Sequence, residues 1–146
     1  MAYLFDAGAI AELLRPQPAP AYLEWLGTVP REEQFTSAVV VGELYRAAFR
    51  SADRDRHLAA LDERLRQAVT ILPYDRGPAL VFAALRALLE LSDTPLPDAD
   101  LQIAATAIYH GLELVTADLP RYRQVPALIV NPLPGTQSST SWSRSR

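Results

Sequence analysis

The stretch that decides the fold is DLQIAATAIYHGLELVTAD, residues 100–118. Its apolar residues recur at the three- and four-residue spacing of one helix face; they are Leu101, Ala104, Ala105 and Ile108. We expect a helix over 98–110 that ends at Gly111, because glycine adopts the left-handed conformation that commonly closes a helix. The apolar run 112–116 then predicts a strand. A carboxylate therefore lies near each end of this helix–strand unit, at Asp100 and Asp118.

The same alternation continues through the rest of the chain. Besides 112–116, strands are predicted over 2–5, 35–36, 69–72 and 128–130. Further helices are predicted over 9–14, 22–26, 38–50, 53–68 and 76–91, the last built on Leu80, Ala84, Leu88 and Leu91. This order is typical of an α/β fold with a mostly parallel central sheet of roughly five strands. We expect one domain over 1–133 and a disordered polar tail over 134–146.

Composition removes several classes of chemistry. The 146 residues contain no cysteine, and all 14 basic residues are arginines. Without lysine there can be no P-loop and no lysine Schiff base, and without cysteine there can be no disulfide, thiolate nucleophile or cysteine-ligated zinc. The two histidines, His57 and His110, are too few for a histidine-rich metal site. We expect both of them to be structural.

Charge and hydropathy also limit the function classes. A net charge of −3 and an isoelectric point near 5.3 argue against a nucleic-acid binder with a broad basic surface. No apolar run approaches the ~18 residues that a membrane-spanning helix needs. The N-terminus MAYLFDAGAI lacks the basic region and cleavage site of a signal peptide. We therefore expect a cytoplasmic protein.

Four acidic residues lie where a solvated surface would not place them. Asp6 and Asp118 follow predicted strands, and the carboxyl ends of strands are where open α/β sheets place functional groups. Asp100 lies in the first turn of its helix, on the side of Ile103 and Ala104. Glu43, in SAVVVGELYRAAF, is predicted to lie on the apolar stripe of its helix.

Each of these acids also has a structural interpretation. Asp6 could cap a helix, Asp118 could cap a turn, and Asp100 could simply favour a helix N-terminus. Glu43 could pair with Arg46 or Arg50. We predict that Asp98 is the N-cap of the 98–110 helix. The alternative is that Asp98 supports the acidic site indirectly, through the residues that form it.

Four converging carboxylates without lysine or histidine favour hard divalent cations. Mg²⁺ and Mn²⁺ prefer oxygen ligands, and two such ions would balance four negative charges. Two ions in such a site can activate a water molecule and stabilise the leaving oxygen of a phosphodiester. The residues therefore point to metal-assisted phosphoryl chemistry.

These motifs resemble the PIN-domain ribonucleases, and most closely the VapC-type toxins of toxin–antitoxin pairs. The resemblance covers nearly all of residues 2–131 and rests on the strand before Asp6, on VVVGEL with Glu43, on DLQIAATAIYHGLELVTAD and on YRQVPALIV. It implies a three-layer α/β/α sandwich and a Mg²⁺- or Mn²⁺-dependent endoribonuclease with one or two ions. It also implies a homodimer and a small DNA-binding antitoxin whose C-terminal segment covers the site.

The resemblance assigns roles to individual residues. Asp6, Asp100 and Asp118 are expected to hold the principal metal ion, Glu43 the second ion or the attacking water, and Thr116 to assist by hydrogen bonding. The arginines that flank the acidic motifs are candidates to position RNA phosphates, with ordinary surface ion pairs as the alternative; they are Arg46, Arg50, Arg121 and Arg123.

The chain departs from the family pattern after the first acid and in the glutamate helix. Ala7 and Gly8 stand where the family commonly has Thr and then Ser or Asn, so a polar group near the site is missing. Ala47 stands where the family often has a glycine after the glutamate motif of this helix. One alternative is therefore a catalytically impaired PIN domain that binds RNA or protein. Another is a different metal-dependent phosphoryl enzyme, such as a phosphatase, which is disfavoured because no D-x-D pair follows the first strand.

Overall fold

Five short parallel strands form the centre of the molecule, and the computed structural model describes residues 1–91 and 96–135. The strands are β1 (Tyr3–Phe5), β2 (Gln34–Ser37), β3 (Thr70–Leu72), β4 (Glu113–Thr116) and β5 (Val130–Pro132). The helices of the described residues are α1 (Ala7–Leu13), α2 (Pro20–Leu26), α3 (Ala38–Phe49), α4 (Arg54–Ala68), α5 (Arg76–Leu89), α6 (Asp98–His110) and α7 (Leu119–Tyr122), with a 3₁₀ turn at Arg31–Glu33. The predicted α/β class with a parallel five-stranded sheet is confirmed.

The strand order β3-β2-β1-β4-β5 places the first strand in the middle of the sheet. From β1 the chain proceeds outward through β2 to β3, and then returns to the other side of β1 to form β4 and β5. Phe5 lies opposite Val115, so the carboxyl ends of β1 and β4 are adjacent. A crevice opens where the strand order reverses in this way, and ligands of open α/β sheets bind there.

Local sequence signals fix the helices that approach this crevice. Ser37 ends β2 and caps α3, because its hydroxyl accepts a hydrogen bond from the Val40 amide at 3.1 Å. Gly111 ends α6 with a φ of +68°, the left-handed conformation that glycine adopts without strain. The chain can then turn directly into β4.

The core lies around the central strands. Leu4, Phe5, Leu114 and Val115 are fully buried in β1 and β4. α6 is buried over most of its circumference, which includes Leu101 and Ala104 as predicted. This burial makes α6 a rigid support for the acid in its first turn.

The apolar residues on which the prediction of α5 rested do not face the core. Leu80, Leu88 and Leu91 are 74%, 71% and 96% exposed, whereas Leu85 is buried. The helix RGPALVFAALRALL is apolar around most of its circumference, so periodicity alone does not identify the face that meets α6. The predicted stripe therefore lies on the surface.

Smaller differences affect the C-terminal part. β5 begins two residues later than predicted, because its register with β4 pairs Leu114 with Val130 and Thr116 with Pro132. Neither α7 nor the 3₁₀ turn was predicted. The domain limit at residue 133 stays a prediction, and most of the expected tail, 136–146, lies outside the described residues. Within the described part of the chain, no helix is long and apolar enough to span a membrane.

Candidate active site

The four singled-out acids line one cleft at the carboxyl edge of the sheet. The cleft has a volume of about 240 Å³, and its walls include Asp6, Glu43, Asp100 and Asp118. These residues come from the end of β1, from α3, from the first turn of α6 and from the turn after β4. The structure thus brings together residues that are far apart in the sequence.

Asp6 lies at the end of the central strand β1 and is buried. Only 8% of the residue is exposed, and its carboxylate accepts a hydrogen bond from the Ala9 amide at 2.9 Å, which caps α1. Burial raises the pKa of Asp6, and the charges of Asp100 and Asp118 raise it further. Hydrogen bonds from Thr116 and the Ala9 amide oppose this shift. Asp6 is therefore both a helix cap and a cleft residue.

Thr116 connects two of the acids. It is fully buried at the end of β4, and its side chain hydrogen bonds with the carboxylate of Asp6. The same hydroxyl oxygen accepts a hydrogen bond from the Asp118 amide at 2.9 Å. Thr116 thus links the ends of β1 and β4 through its hydroxyl, and its assisting role in catalysis stays a prediction.

Asp100 and Asp118 share one cation, Arg121. The guanidinium donates from Nη1 to Oδ2 of Asp100 at 2.5 Å and from Nε to Oδ2 of Asp118 at 2.9 Å. Hydrogen bonds to Asp118 and Asp100 raise the pKa of the Arg121 guanidinium. Asp118 also caps α7, since Oδ1 accepts a hydrogen bond from the Arg121 amide at 3.4 Å.

Glu43 lies at the exposed edge of the cleft and not on the buried stripe of α3. The prediction was wrong because the buried face of α3 contains Val40, Val41 and Ala48. Partial loss of hydration raises the pKa of Glu43, and the negative charges of Asp100 and Asp6 add to the shift. Arg121 and Arg46 oppose it.

The alternative partners proposed for Glu43, Arg46 and Arg50, do not form ion pairs with it in the described structure. Of the four candidate arginines, Arg121 is the one whose side chain lines the cleft of the described structure. The roles of Arg46, Arg50 and Arg123 toward RNA stay predictions.

Asp98 is not the N-cap of α6, and it does not line the cleft. Pro97 occupies the cap position, and Asp98 is the first helical residue. Its carboxylate accepts a hydrogen bond from Arg86 at 2.7 Å, and 73% of the side chain is exposed. Asp98 therefore pairs with an arginine of the neighbouring α5 and does not cap the N-terminus of α6.

Sequence reasoning missed two features of the site. Arg121 was considered for phosphate binding, but its bridging of two acids depends on α7, which no pattern predicted. Tyr122 is buried and lines the cleft, and burial beside Asp6 and Asp100 raises the pKa of its hydroxyl. An aromatic residue after a short turn gives no sequence signal for such a position.

The donor chemistry of the cleft suits a hard divalent cation. Its side-chain donors are four carboxylates and the adjacent Thr116 hydroxyl, and Mg²⁺ and Mn²⁺ prefer such oxygen ligands. Within residues 1–91 and 96–135, however, no three acidic or histidine side chains are grouped so that they could hold a metal ion. Arg121 contacts two of the four carboxylates in this arrangement. The residues present therefore fit a hard divalent cation by the type of their donor atoms.

Comparisons with known proteins agree with the fold and the sequence motifs. The family model of the PIN domain matches residues 3–126. Toxin FitB of Neisseria gonorrhoeae is 32% identical over 135 residues, which cover 88% of this chain and 96% of that protein. The VapC ribonuclease Y4jK of Sinorhizobium fredii is 29% identical over the same shares of both chains.

A solved structure shows the same fold. The crystal structure of DNA-bound VapBC from Salmonella typhimurium matches with a TM-score of 0.81 and 22% identity, and the match covers 91% of this chain and 98% of that one. VapBC proteins are a family of toxin–antitoxin systems.

Proposed function

Because this chain belongs to the PIN domain family, we propose that it is a metal-dependent endoribonuclease and the toxin of a toxin–antitoxin pair. Relatives named as a toxin and as a VapC ribonuclease support this proposal. The observation that carries it is the meeting of Asp6, Glu43, Asp100 and Asp118 in one cleft at the sheet edge where the strand order reverses.

The chain's own residues would divide the work as follows. Asp6, Asp100 and Asp118 would hold the principal Mg²⁺ or Mn²⁺, and Glu43 would hold the second ion or the attacking water. Bound divalent cations supply an activated water and stabilisation of the leaving oxygen. Thr116 keeps Asp6 and the Asp118 turn in register through the two hydrogen bonds described above.

RNA is the proposed substrate, and the acidic composition of the chain does not contradict this. The excess of negative charge includes the cleft acids, where bound cations would reverse the field that a phosphate meets. The exposed arginines Arg46, Arg50 and Arg123 are available for phosphates outside the cleft.

An antitoxin and a second copy of the chain complete the proposal. The antitoxin would be a small DNA-binding protein whose C-terminal segment covers the cleft. The second copy would bury the exposed leucines of α5, Leu80 and Leu88, which lie two turns apart on one helix face. A groove of about 430 Å³ beside these leucines is lined almost entirely by apolar atoms and extends to Pro126 and Ala127.

A purified-protein assay tests the nuclease proposal. We expect the chain to cleave structured RNA with Mg²⁺ or Mn²⁺, and we expect EDTA or the substitution Asp6→Asn to abolish cleavage. The matched control is Asp55→Asn, because that carboxylate is 92% exposed and lies outside the cleft. Full cleavage by the Asp6 variant would contradict the assignment, and turnover of phosphate esters without RNA cleavage would favour a phosphatase.

One observation favours a second candidate, a PIN domain without strong catalytic activity. Ala7 and Gly8 line the cleft beside Asp6, and neither residue has a polar side chain that could orient a water molecule or a metal ligand. In that case RNA would bind without being cleaved, and the binding would survive the substitution Asp6→Asn. In cells, the toxin proposal requires that expression of the chain slows growth and that expression of the Asp6 variant does not.

A further inference from the structure

The cation that bridges Asp100 and Asp118 belongs to the protein itself. We propose that Arg121 is a built-in counter-ion that a divalent metal ion has to displace, so that Arg121 lowers the affinity of the cleft for metal. This inference rests on the proposed function, because it concerns the metal site of that function. It concerns this chain's own side chains, and it predicts that Arg121 raises the concentration of metal ion that is needed to occupy the cleft.

Arg121 satisfies carboxylates that would otherwise be poorly compensated. Asp100 is only 8% exposed, and among the described residues its ion-pair partner is Arg121. A buried carboxylate without a cation is costly, so the metal-free fold gains from this contact. The second contact, to Asp118, fixes the guanidinium in the same position.

The same contacts compete with metal binding. The Oδ2 atoms of Asp100 and Asp118 face the guanidinium, and these are oxygens that a metal ion would use. The described acids do not converge on one point while Arg121 holds two of them. An ion that draws them together must therefore break at least part of the bridge.

Arg121 is placed so that it can leave. Its side chain is 45% exposed, and it belongs to the four-residue helix α7 at the surface. The guanidinium itself loses little when it leaves, because water solvates it well, and a bound metal ion would then compensate the charge of the buried Asp100 carboxylate. Two such contacts would weaken the apparent metal affinity about threefold to tenfold, since the apparent affinity is the intrinsic affinity multiplied by the fraction of molecules in which the bridge is open.

Calorimetric titration with Mn²⁺ tests the inference on the full chain. We expect Arg121→Ala and Arg121→Gln to bind Mn²⁺ about threefold to tenfold more tightly than the wild type. Arg121→Lys keeps a positive charge and is expected to stay closer to the wild type. The control for net charge is Arg76→Ala, because Arg76 is exposed at the start of α5 and does not line the cleft.

Thermal unfolding gives a second readout. In EDTA the Arg121→Ala variant should melt below the wild type, because Asp100 has lost its cation, and Mn²⁺ should raise its Tm more than that of the wild type. Unchanged or weaker Mn²⁺ binding by the folded variants would overturn the inference and leave the proposed nuclease intact. No Mn²⁺ binding by any protein, including the wild type, would instead overturn the metal site of the proposed function.

Discussion

Replacing glycine by alanine is expected to have opposite effects on stability at two positions of this chain, Gly42 and Gly111. A Cβ added at Gly42 or at Gly111 would meet no atom within 4 Å, so steric crowding does not distinguish the two positions. They differ in backbone conformation, because Gly42 lies within α3 and Gly111 has a φ of +68°. We therefore expect Gly42→Ala to stabilise the protein and Gly111→Ala to destabilise it.

The magnitudes follow from backbone energetics. Alanine is favoured over glycine inside an exposed helix by about 1 kcal/mol. At Gly111, the left-handed conformation costs alanine about 1–2 kcal/mol, partly offset by the smaller entropy of its unfolded chain, for a net loss of about 1 kcal/mol. For a domain of this size each change corresponds to a Tm shift of roughly 4 °C.

Urea unfolding and thermal melts at one fixed protein concentration measure both variants. Gly111→Asn provides the matched test of conformation, because asparagine tolerates the left-handed region better than alanine and should recover part of the loss. If Gly111→Ala were as stable as the wild type while Gly42→Ala behaved as expected, the left-handed end of α6 would not be required. The turn that connects α6, which carries Asp100, to β4, which carries Thr116, would then depend on residues other than Gly111.

Three further predictions follow from other features. Ser37→Ala removes the cap of α3, a bond of 3.1 Å to the Val40 amide, and should cost about 1 kcal/mol in urea unfolding; no loss would contradict the cap. Since burial raises the pKa of Asp6, its contribution to stability is present below its ordinary pKa of 3.8 and lost as pH rises through the higher pKa of the folded state. The stability of Asp6→Asn relative to wild type in EDTA should therefore increase with pH, and a flat difference would refute this. Leu80→Glu or Leu88→Glu should yield monomers by light scattering without loss of helicity, and an unchanged dimer would exclude that face.

The sequence patterns identified the elements well because local chemistry determines them. Ser37 and Gly111 mark helix ends through their own side-chain and backbone properties, and the structure places caps at both residues. The strand before Asp6 and the strand after Gly111 were predicted for the same reason. The acids after these strands could be assigned to one edge, because parallel strands carry their carboxyl ends to the same side.

The burial of individual side chains could not be predicted from local sequence patterns, because burial depends on which helices and strands pack together. The stripe of Leu80 and Leu88 is apolar and helical in period, yet Leu85 is the residue buried in α5. Glu43 has apolar neighbours along its helix, but α3 turns it toward the cleft edge. In both helices the spacing of the apolar residues predicted the helical period correctly but did not predict which face of the helix is buried.

Electrostatic partners were the least predictable part of the site. Arg121 reaches Asp100 across 21 positions of sequence, and Arg86 reaches Asp98 across 12. Neither contact has a spacing that a helix or strand would reveal. Only the positions of α5 and α7 in the folded chain make these arginines, rather than other ones, the partners of the acids.

The central position of β1 has a consequence for the time at which the cleft can first exist during protein synthesis. β1, which precedes the other described strands in the chain, pairs Phe5 with Val115, and the Asp6 amide donates to the Val115 carbonyl at 3.1 Å. Until that late strand has emerged, one side of β1 has no neighbour, and neither Thr116 nor Asp118 is present beside Asp6. A growing chain that has not yet reached β4 therefore cannot assemble the acidic cleft, because β4 and the turn after it supply Thr116 and Asp118.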